Sequence, residues 1–84
     1  MMTADASERL AARRYLLNGK QPKDGPVLTT RVYPRRTFVI AKDSFGHVLW
    51  AFFFIGQKRL YRIDGAYLIA LENWEMKTKA KAER

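Results

Sequence analysis

The sequence predicts an α+β fold in which an N-terminal helix packs on an antiparallel meander of four to five strands. Two observations support this prediction. Residues 3–18 are rich in the helix formers Ala, Leu and Arg. From Val27 onward, β-branched and aromatic runs alternate with turn residues. The 84 residues, of which 48% are hydrophobic, suffice for one small domain with a thin core, spanning residues 1–84.

The N-terminal helix is predicted over Thr3–Asn18, within a helical segment of residues 1–19. Oxygen-bearing side chains near its start can cap the first turn, and Asn18-Gly19 is a typical left-handed stop. The helix is only weakly amphipathic, so a single narrow stripe is expected to pack on the sheet. The residues of that stripe are Ala6, Leu10 and Leu17.

Four strands are predicted in the segment that follows a proline- and glycine-containing loop at residues 20–26. Pro34-Arg35-Arg36, Asp43–Gly46 and Gly56-Gln57 have the composition of turns. The strands between these turns are predicted at residues 27–33, 37–41, 47–55 and 58–63.

The third strand is apolar on both faces. A strand of this kind is normally covered on both sides, whereas one short helix covers only one. The sheet is therefore expected either to curl into a small open barrel or to leave an aromatic face available to a partner. Simple alternation places Val48, Trp50, Phe52 and Phe54 on one face, as core or as a stacking platform, and Leu49, Ala51, Phe53 and Ile55 on the other.

The segment after residue 63 supports two readings. Asp64-Gly65 between apolar residues is a strong hairpin signal, which favours a fifth strand over residues 66–71 and a sheet region extending over residues 27–76. The Ala, Leu, Glu and Met content of Ala66–Met76 instead favours a helix, in which Glu75 could pair with Lys79. Residues 77–84 are predicted to form a flexible basic tail.

Charge is the feature that says most about partners. Sixteen Lys and Arg stand against eight Asp and Glu, giving a net charge of +8 and a pI near 10.2. Such an excess attracts polyanions, of which nucleic acid is the leading one and an acidic protein surface the alternative. The absence of cysteine excludes disulfides and Cys-ligated zinc from these residues and fits a cytoplasmic location. Neither a secretory signal in residues 1–14 nor a membrane-spanning apolar run is recognisable.

Basic residues concentrate in turns and at element ends. If Pro34-Arg35-Arg36 and Gln57-Lys58-Arg59 lie at one edge of the sheet, they form a phosphate-binding patch. Alternating Arg and Tyr on a strand, as at Arg59 and Tyr61, is also typical of surfaces that stack single-stranded nucleic acid. The residues predicted to bind nucleic acid or an acidic partner are Arg13, Arg14, Arg31, Arg35, Arg36, Lys58, Arg59, Tyr61 and Arg62.

Catalytic signatures are sparse. The only histidine is His47, no spacing of His, Asp or Glu resembles a metal site, and no glycine-rich phosphate loop is present. We therefore expect no catalytic residue, metal or cofactor. A small basic ribonuclease is the one enzymatic alternative, and it requires His47 near Arg59 or Arg62 in a concave site.

These observations predict a non-enzymatic protein that binds nucleic acid with little sequence specificity. The first alternative is an interaction module or inhibitor that docks on an acidic surface of a larger nucleoprotein complex, which should show exposed aromatic rings bordered by Arg. The ribonuclease is the second. No membrane partner is expected, and the unmatched apolar surface leaves a homodimer as a further alternative.

Overall fold

In a computed structural model of the chain, a four-stranded antiparallel sheet lies between two helices. The structure describes the backbone of residues 4–82 and the side chains of residues 5–77. The strands are ordered in the sheet as in the sequence, which confirms the α+β class and the meander. The elements are α1 (Ala4–Asn18), β1 (Val27–Val32), β2 (Thr37–Lys42), β3 (Val48–Ile55), β4 (Arg59–Arg62) and α2 (Gly65–Ala82).

Helix α1 ends where the sequence predicts. Gly19 has a φ of +67°, and its N–H donates to the carbonyl of Tyr15 at 2.8 Å, which closes the last turn. The predicted packing stripe is wrong, because Leu10 and Leu17 are 37% and 59% exposed. Ala12 is fully buried instead. It belongs to the core cluster between α1 and the sheet.

Each helix covers one face of the sheet. The α1 face carries a core of aromatic and small residues packed against α1, and the α2 face carries a second core packed against α2. The buried residues on the α1 side are Ala12, Leu28, Val39, Ala41, Trp50, Phe52 and Phe54. Those on the α2 side are Phe38, Ile40, Ala51, Ile63 and Leu71.

The third strand departs from simple alternation at its start. Ala41 pairs with Trp50, but Lys42 pairs with Val48, so a bulge at Leu49 shifts the register. Val48 consequently packs in the core of the α2 face, and its predicted position beside Trp50 is wrong. Leu49 is 50% exposed.

The segment after β4 is a helix, so the predicted fifth strand is wrong and the sheet ends at Arg62. Asp64 acts as its N-cap, since its Oδ1 accepts from the N–H of Tyr67 at 2.9 Å. Because α2 covers the second face, the sheet stays open and no barrel forms. The helical backbone continues through Ala82, in place of the expected tail. Residues 83 and 84 lie outside the described part of the chain.

Candidate functional site

Two turns meet at one end of the sheet. In an antiparallel meander, the β1–β2 turn and the β3–β4 turn lie at the same end, and the β2–β3 turn lies at the opposite end. A cleft of about 320 Å³ between the first two turns is lined by Arg35 and Arg36 from one and by Gly56 and Gln57 from the other. Lys58 and Arg59 adjoin it and line a shallow pocket beside Ile55.

Helix α1 contributes a fifth cation at this end. The Arg13 side chain donates from Nη2 to the carbonyl oxygen of Lys58 at 3.2 Å, and Arg9 donates from Nη1 to that of Leu60 at 3.4 Å. The guanidinium of Arg13 is thereby held beside the β3–β4 turn. We call this cluster the basic end; it consists of Arg13, Arg35, Arg36, Lys58 and Arg59.

The carboxylates lie elsewhere. Within the described residues, no ion pair involves a residue of the basic end, and no Asp or Glu lines either of its pockets. Asp5 and Glu8 pair with Arg62 at the far end of β4, Asp43 lies in the β2–β3 turn, and Asp64 precedes α2. The charge of the molecule is therefore segregated along the sheet.

The other basic residues predicted for the site lie apart from the basic end. Arg62 donates to Glu8 Oε2 from Nη1 at 2.6 Å, and its guanidinium carbon lies 5.3 Å from the centre of the Phe52 ring. Arg31 pairs with the buried Glu75 at 3.5 Å. Arg14 is exposed and lines a separate cavity of about 180 Å³ near the loop after α1.

Tyr61 belongs to a row of aromatic rings across the α2 face. In the strand register Tyr61 pairs with Phe53, and Phe53 pairs with Phe38. The Tyr61 and Phe53 rings stack with centroids 5.1 Å apart, the Phe53 and Phe38 centroids lie 6.1 Å apart, and Tyr33 contacts Phe38 edge-on at 5.6 Å. Arg36 lies over the Phe53 ring at 5.4 Å, so the row reaches the basic end.

A groove opens between α2 and the β1–β2 turn beside this row. We call it the aromatic groove; it has a volume of about 490 Å³ and is lined by Tyr33, Arg36, Phe38, Tyr67, Ala70, Leu71 and Trp74. Sequence reasoning missed most of these residues. The spacing of Tyr67, Leu71 and Trp74 would put these three side chains on one face of a helix. It could have indicated a shared surface, but only if the segment was known to be helical.

Trp50, Phe52 and Phe54 belong to the core, as expected, and do not form the alternative stacking platform. These side chains are 8%, 0% and 1% exposed on the α1 face. The partly exposed rings of Tyr33 and Tyr61 lie on the opposite face.

His47 lies at the opposite end from Arg59, in the β2–β3 turn. Its side chain is 68% exposed, and its Nδ1 lies 3.6 Å from Asp43 Oδ2. The backbone N–H of His47 also donates to Asp43 Oδ1 at 2.9 Å and is the main cause that lowers the pKa of Asp43 below its ordinary value. Arg62, the other proposed catalytic partner, is engaged by carboxylates. His47 and Asp43 thus belong to a structured turn. His47 is not brought together with Arg59, and the concave site that the ribonuclease alternative requires is not assembled.

The described part of the chain comprises residues 4–82. In this part of the chain, no three His, Asp or Glu side chains are grouped so that they could hold a metal ion. Neither of the two described helices is long and apolar enough to cross a membrane.

Comparison with known protein families, with curated protein sequences and with solved structures finds no match to this chain.

Proposed function

We propose that this protein is a non-enzymatic nucleic-acid-binding protein that contacts backbone phosphates with its basic end. The proposal rests on the position of the β1–β2 and β3–β4 turns, which lie side by side at one end of the sheet. They bring Arg35, Arg36, Lys58 and Arg59 to one end of the sheet, where no described carboxylate neutralises them.

Phosphate binding fits the chemistry of this surface. Arg side chains present planar donors that match phosphate oxygens, and each neutralised phosphate releases condensed counterions. Because phosphates are the same in every sequence, contacts of this kind give affinity without base preference. Little sequence specificity is therefore part of the proposal.

A second candidate function is docking on an acidic protein surface. Exposed aromatic rings bordered by Arg are typical of protein-binding hot spots, and the aromatic groove has this composition. Nucleic acid remains the leading ligand because phosphate contacts need only the fixed cations, whereas an acidic partner must also match the shape of this surface.

Binding to a labelled DNA duplex at two salt concentrations tests the proposal. Four or five phosphate contacts predict a slope of log affinity against log salt of about −3.6 to −4.5 on a duplex. Affinity should therefore fall roughly a hundredfold or more between about 50 and 200 mM salt. No detectable association with this duplex or with a single strand of the same length at about 50 mM salt would rule the proposal out.

A charge-matched pair of variants locates the surface. Arg35→Glu with Arg36→Glu lowers the net charge by four, as does Lys20→Glu with Lys23→Glu on the exposed loop after α1. We expect the first pair to weaken binding at least about tenfold more than the second, a difference of about 1.4 kcal/mol. Both variants must first show the circular dichroism of the parent protein. Equal losses would mean that net charge alone drives binding, and the basic end would not be the site.

A further inference from the structure

The aromatic groove is an open pocket with a buried floor and partly exposed walls. Phe38 and Leu71 form the floor, each 7% exposed. Tyr67 and Trp74 of α2 line one side and are 48% and 39% exposed, and Tyr33 of the β1–β2 turn is 40% exposed. The volume of about 490 Å³ lies within the range of ~300–1,000 Å³ that is typical of small-ligand sites.

Ring contacts hold these walls in place. The Tyr33 and Trp74 centroids lie 6.1 Å apart, and the Tyr67 ring lies nearly parallel to that of Phe38 at 6.5 Å. Arg31 lies over the Trp74 ring at 5.5 Å. Flat aromatic faces fixed in this way offer a stacking surface for another planar ring.

The groove is continuous with the basic end. Tyr33 and Arg36 line both the aromatic groove and the cleft between the two turns. No Asp or Glu is among the residues that line the groove. The nearby Glu75 is 7% exposed and is engaged by Lys42 at 2.5 Å. A ligand that carries a planar ring next to a phosphate matches both surfaces at once.

We propose that the aromatic groove receives an unpaired base of single-stranded nucleic acid while the basic end holds the adjacent phosphates. This inference rests on the proposed function, since it assumes that the basic end binds a nucleic-acid backbone. A duplex keeps its bases paired and stacked inside the helix and cannot place one in a groove without unpairing it. The protein therefore prefers single strands, and stacking tolerates any base.

Three labelled probes of equal length test the inference: an oligo(dT) single strand of about 12 nucleotides, an abasic strand with the same phosphates, and a DNA duplex. We expect oligo(dT) to bind about tenfold or more tightly than the abasic strand at equal salt. The abasic strand still binds, because it retains every phosphate contact of the basic end.

Two α2 variants locate the base. Tyr67→Ala should remove most of the preference for oligo(dT) over the abasic strand, because it deletes a groove wall. Ile69→Ala is the matched control: Ile69 is 63% exposed on the same helix and is not part of the groove lining. It should leave both affinities within about twofold, since surface substitutions of this kind have small effects. Circular dichroism of both variants establishes that α2 is intact.

Tryptophan fluorescence gives an independent readout. Saturation with oligo(dT) should quench emission from Trp74, and this quenching should disappear in Trp74→Phe, because Trp50 is buried on the other face of the sheet. The abasic strand should produce little quenching.

The outcomes separate this inference from the proposed function. Failure of all three probes to bind would refute the proposed function. Equal binding of oligo(dT) and the abasic strand, unaffected by Tyr67→Ala, would leave the basic end as a phosphate site and overturn the base-binding groove. A dimer in sedimentation that Tyr67→Ala dissociates and oligo(dT) does not would show a second copy of the chain in the groove, which also overturns the inference.

Discussion

A few carboxylates determine which Lys and Arg side chains are held in ion pairs and which remain available to bind a ligand. Glu8 engages Arg62, and Glu75 engages both Arg31 and Lys42. Glu8 and Arg62 are 54 positions apart in the sequence. Charge counting along the chain could not find such pairs, because they depend on how α1 packs beside β4. The sequence alone therefore gives the same grounds for proposing Arg31 and Arg62 as binding residues as it gives for Arg35 and Arg36.

Glu75 is the clearest single-residue test of how α2 is held on the sheet. Its carboxylate is buried and lies 2.5 Å from Lys42 Nζ and 3.5 Å from Arg31 Nε. Glu75→Ala removes both ion pairs and leaves Lys42 partly buried without its partner, so the free energy of unfolding should fall by roughly 2 kcal/mol. Urea denaturation measures this change.

Glu72 provides the control on the same helix. It is only half-buried and forms no ion pair within the described residues. Glu72→Ala should change the unfolding free energy by no more than about 0.5 kcal/mol. If both variants lost the same stability, the position of α2 would not depend on Glu75. The Lys79 side chain of the expected Glu75–Lys79 pair lies outside the described residues.

Helix α2 is the element for which the sequence left the choice between strand and helix open. Asp64-Gly65 is a signature of a tight hairpin turn, but Asp is also a preferred helix N-cap. The structure uses the second property, since the Asp64 carboxylate accepts from Tyr67 N–H and its backbone carbonyl accepts from Leu68 N–H at 2.9 Å. Helix propensity in the following residues identified the helix more reliably than the dipeptide identified a hairpin.

Gly65→Ala distinguishes the two conformations by the sign of its effect. Gly65 is helical without a positive φ, and an added Cβ meets no atom within 4 Å. Alanine should therefore stabilise the protein by about 0.4–1 kcal/mol. In a hairpin turn that needs a positive φ at this glycine, the same change would destabilise it.

Gly46→Ala is the matched control for this change. Gly46 has equally open surroundings but a φ of +86°, so alanine there should cost roughly 1–2 kcal/mol. Urea denaturation of both variants gives the two signs. A loss of stability in Gly65→Ala would contradict the helical N-terminus of α2.

Strand β3 shows which sheet details a sequence pattern carries. The apolar character of both faces correctly indicated double coverage, and the alternation from Trp50 to Phe54 matches the observed α1 face. The bulge at Leu49 reversed the face of Val48, and no glycine or proline marks that position. Local periodicity thus gives the faces of a regular strand but not an irregularity in its pairing.

The topology of the whole molecule explains why the basic end could be predicted from the sequence and the aromatic groove could not. Once a meander is predicted, alternate turns must lie at one end, so Arg35 and Lys58 could be placed together from the sequence. The aromatic groove needs α2 to cross the sheet beside Phe38. The sequence could not predict this tertiary arrangement, because it left open whether the segment is a strand or a helix.

The positive charges of this protein can favour binding in two ways, through the net charge of +8 and through direct contacts at the basic end. Long-range attraction depends on total charge and mainly sets the association rate, whereas short-range contacts at a site mainly set the dissociation rate. Arg35→Glu with Arg36→Glu lowers the net charge by four, and deletion of residues 77–84 removes four basic residues and one acidic residue, lowering it by three. A purely electrostatic model therefore expects similar losses from both changes.

We expect both variants to bind a labelled oligonucleotide with comparably slowed association at low salt, because their net charges are similar. Only the charge-reversal variant, Arg35→Glu with Arg36→Glu, should dissociate faster, by about tenfold or more, because it alone loses contacts of the basic end. Stopped-flow association and surface-based dissociation at about 50 and 200 mM salt separate the two rates. Circular dichroism must first show that the truncated helix remains folded. Faster dissociation of the truncated protein than of the reversal would place the binding surface on the C-terminal end of α2 and not on the two turns.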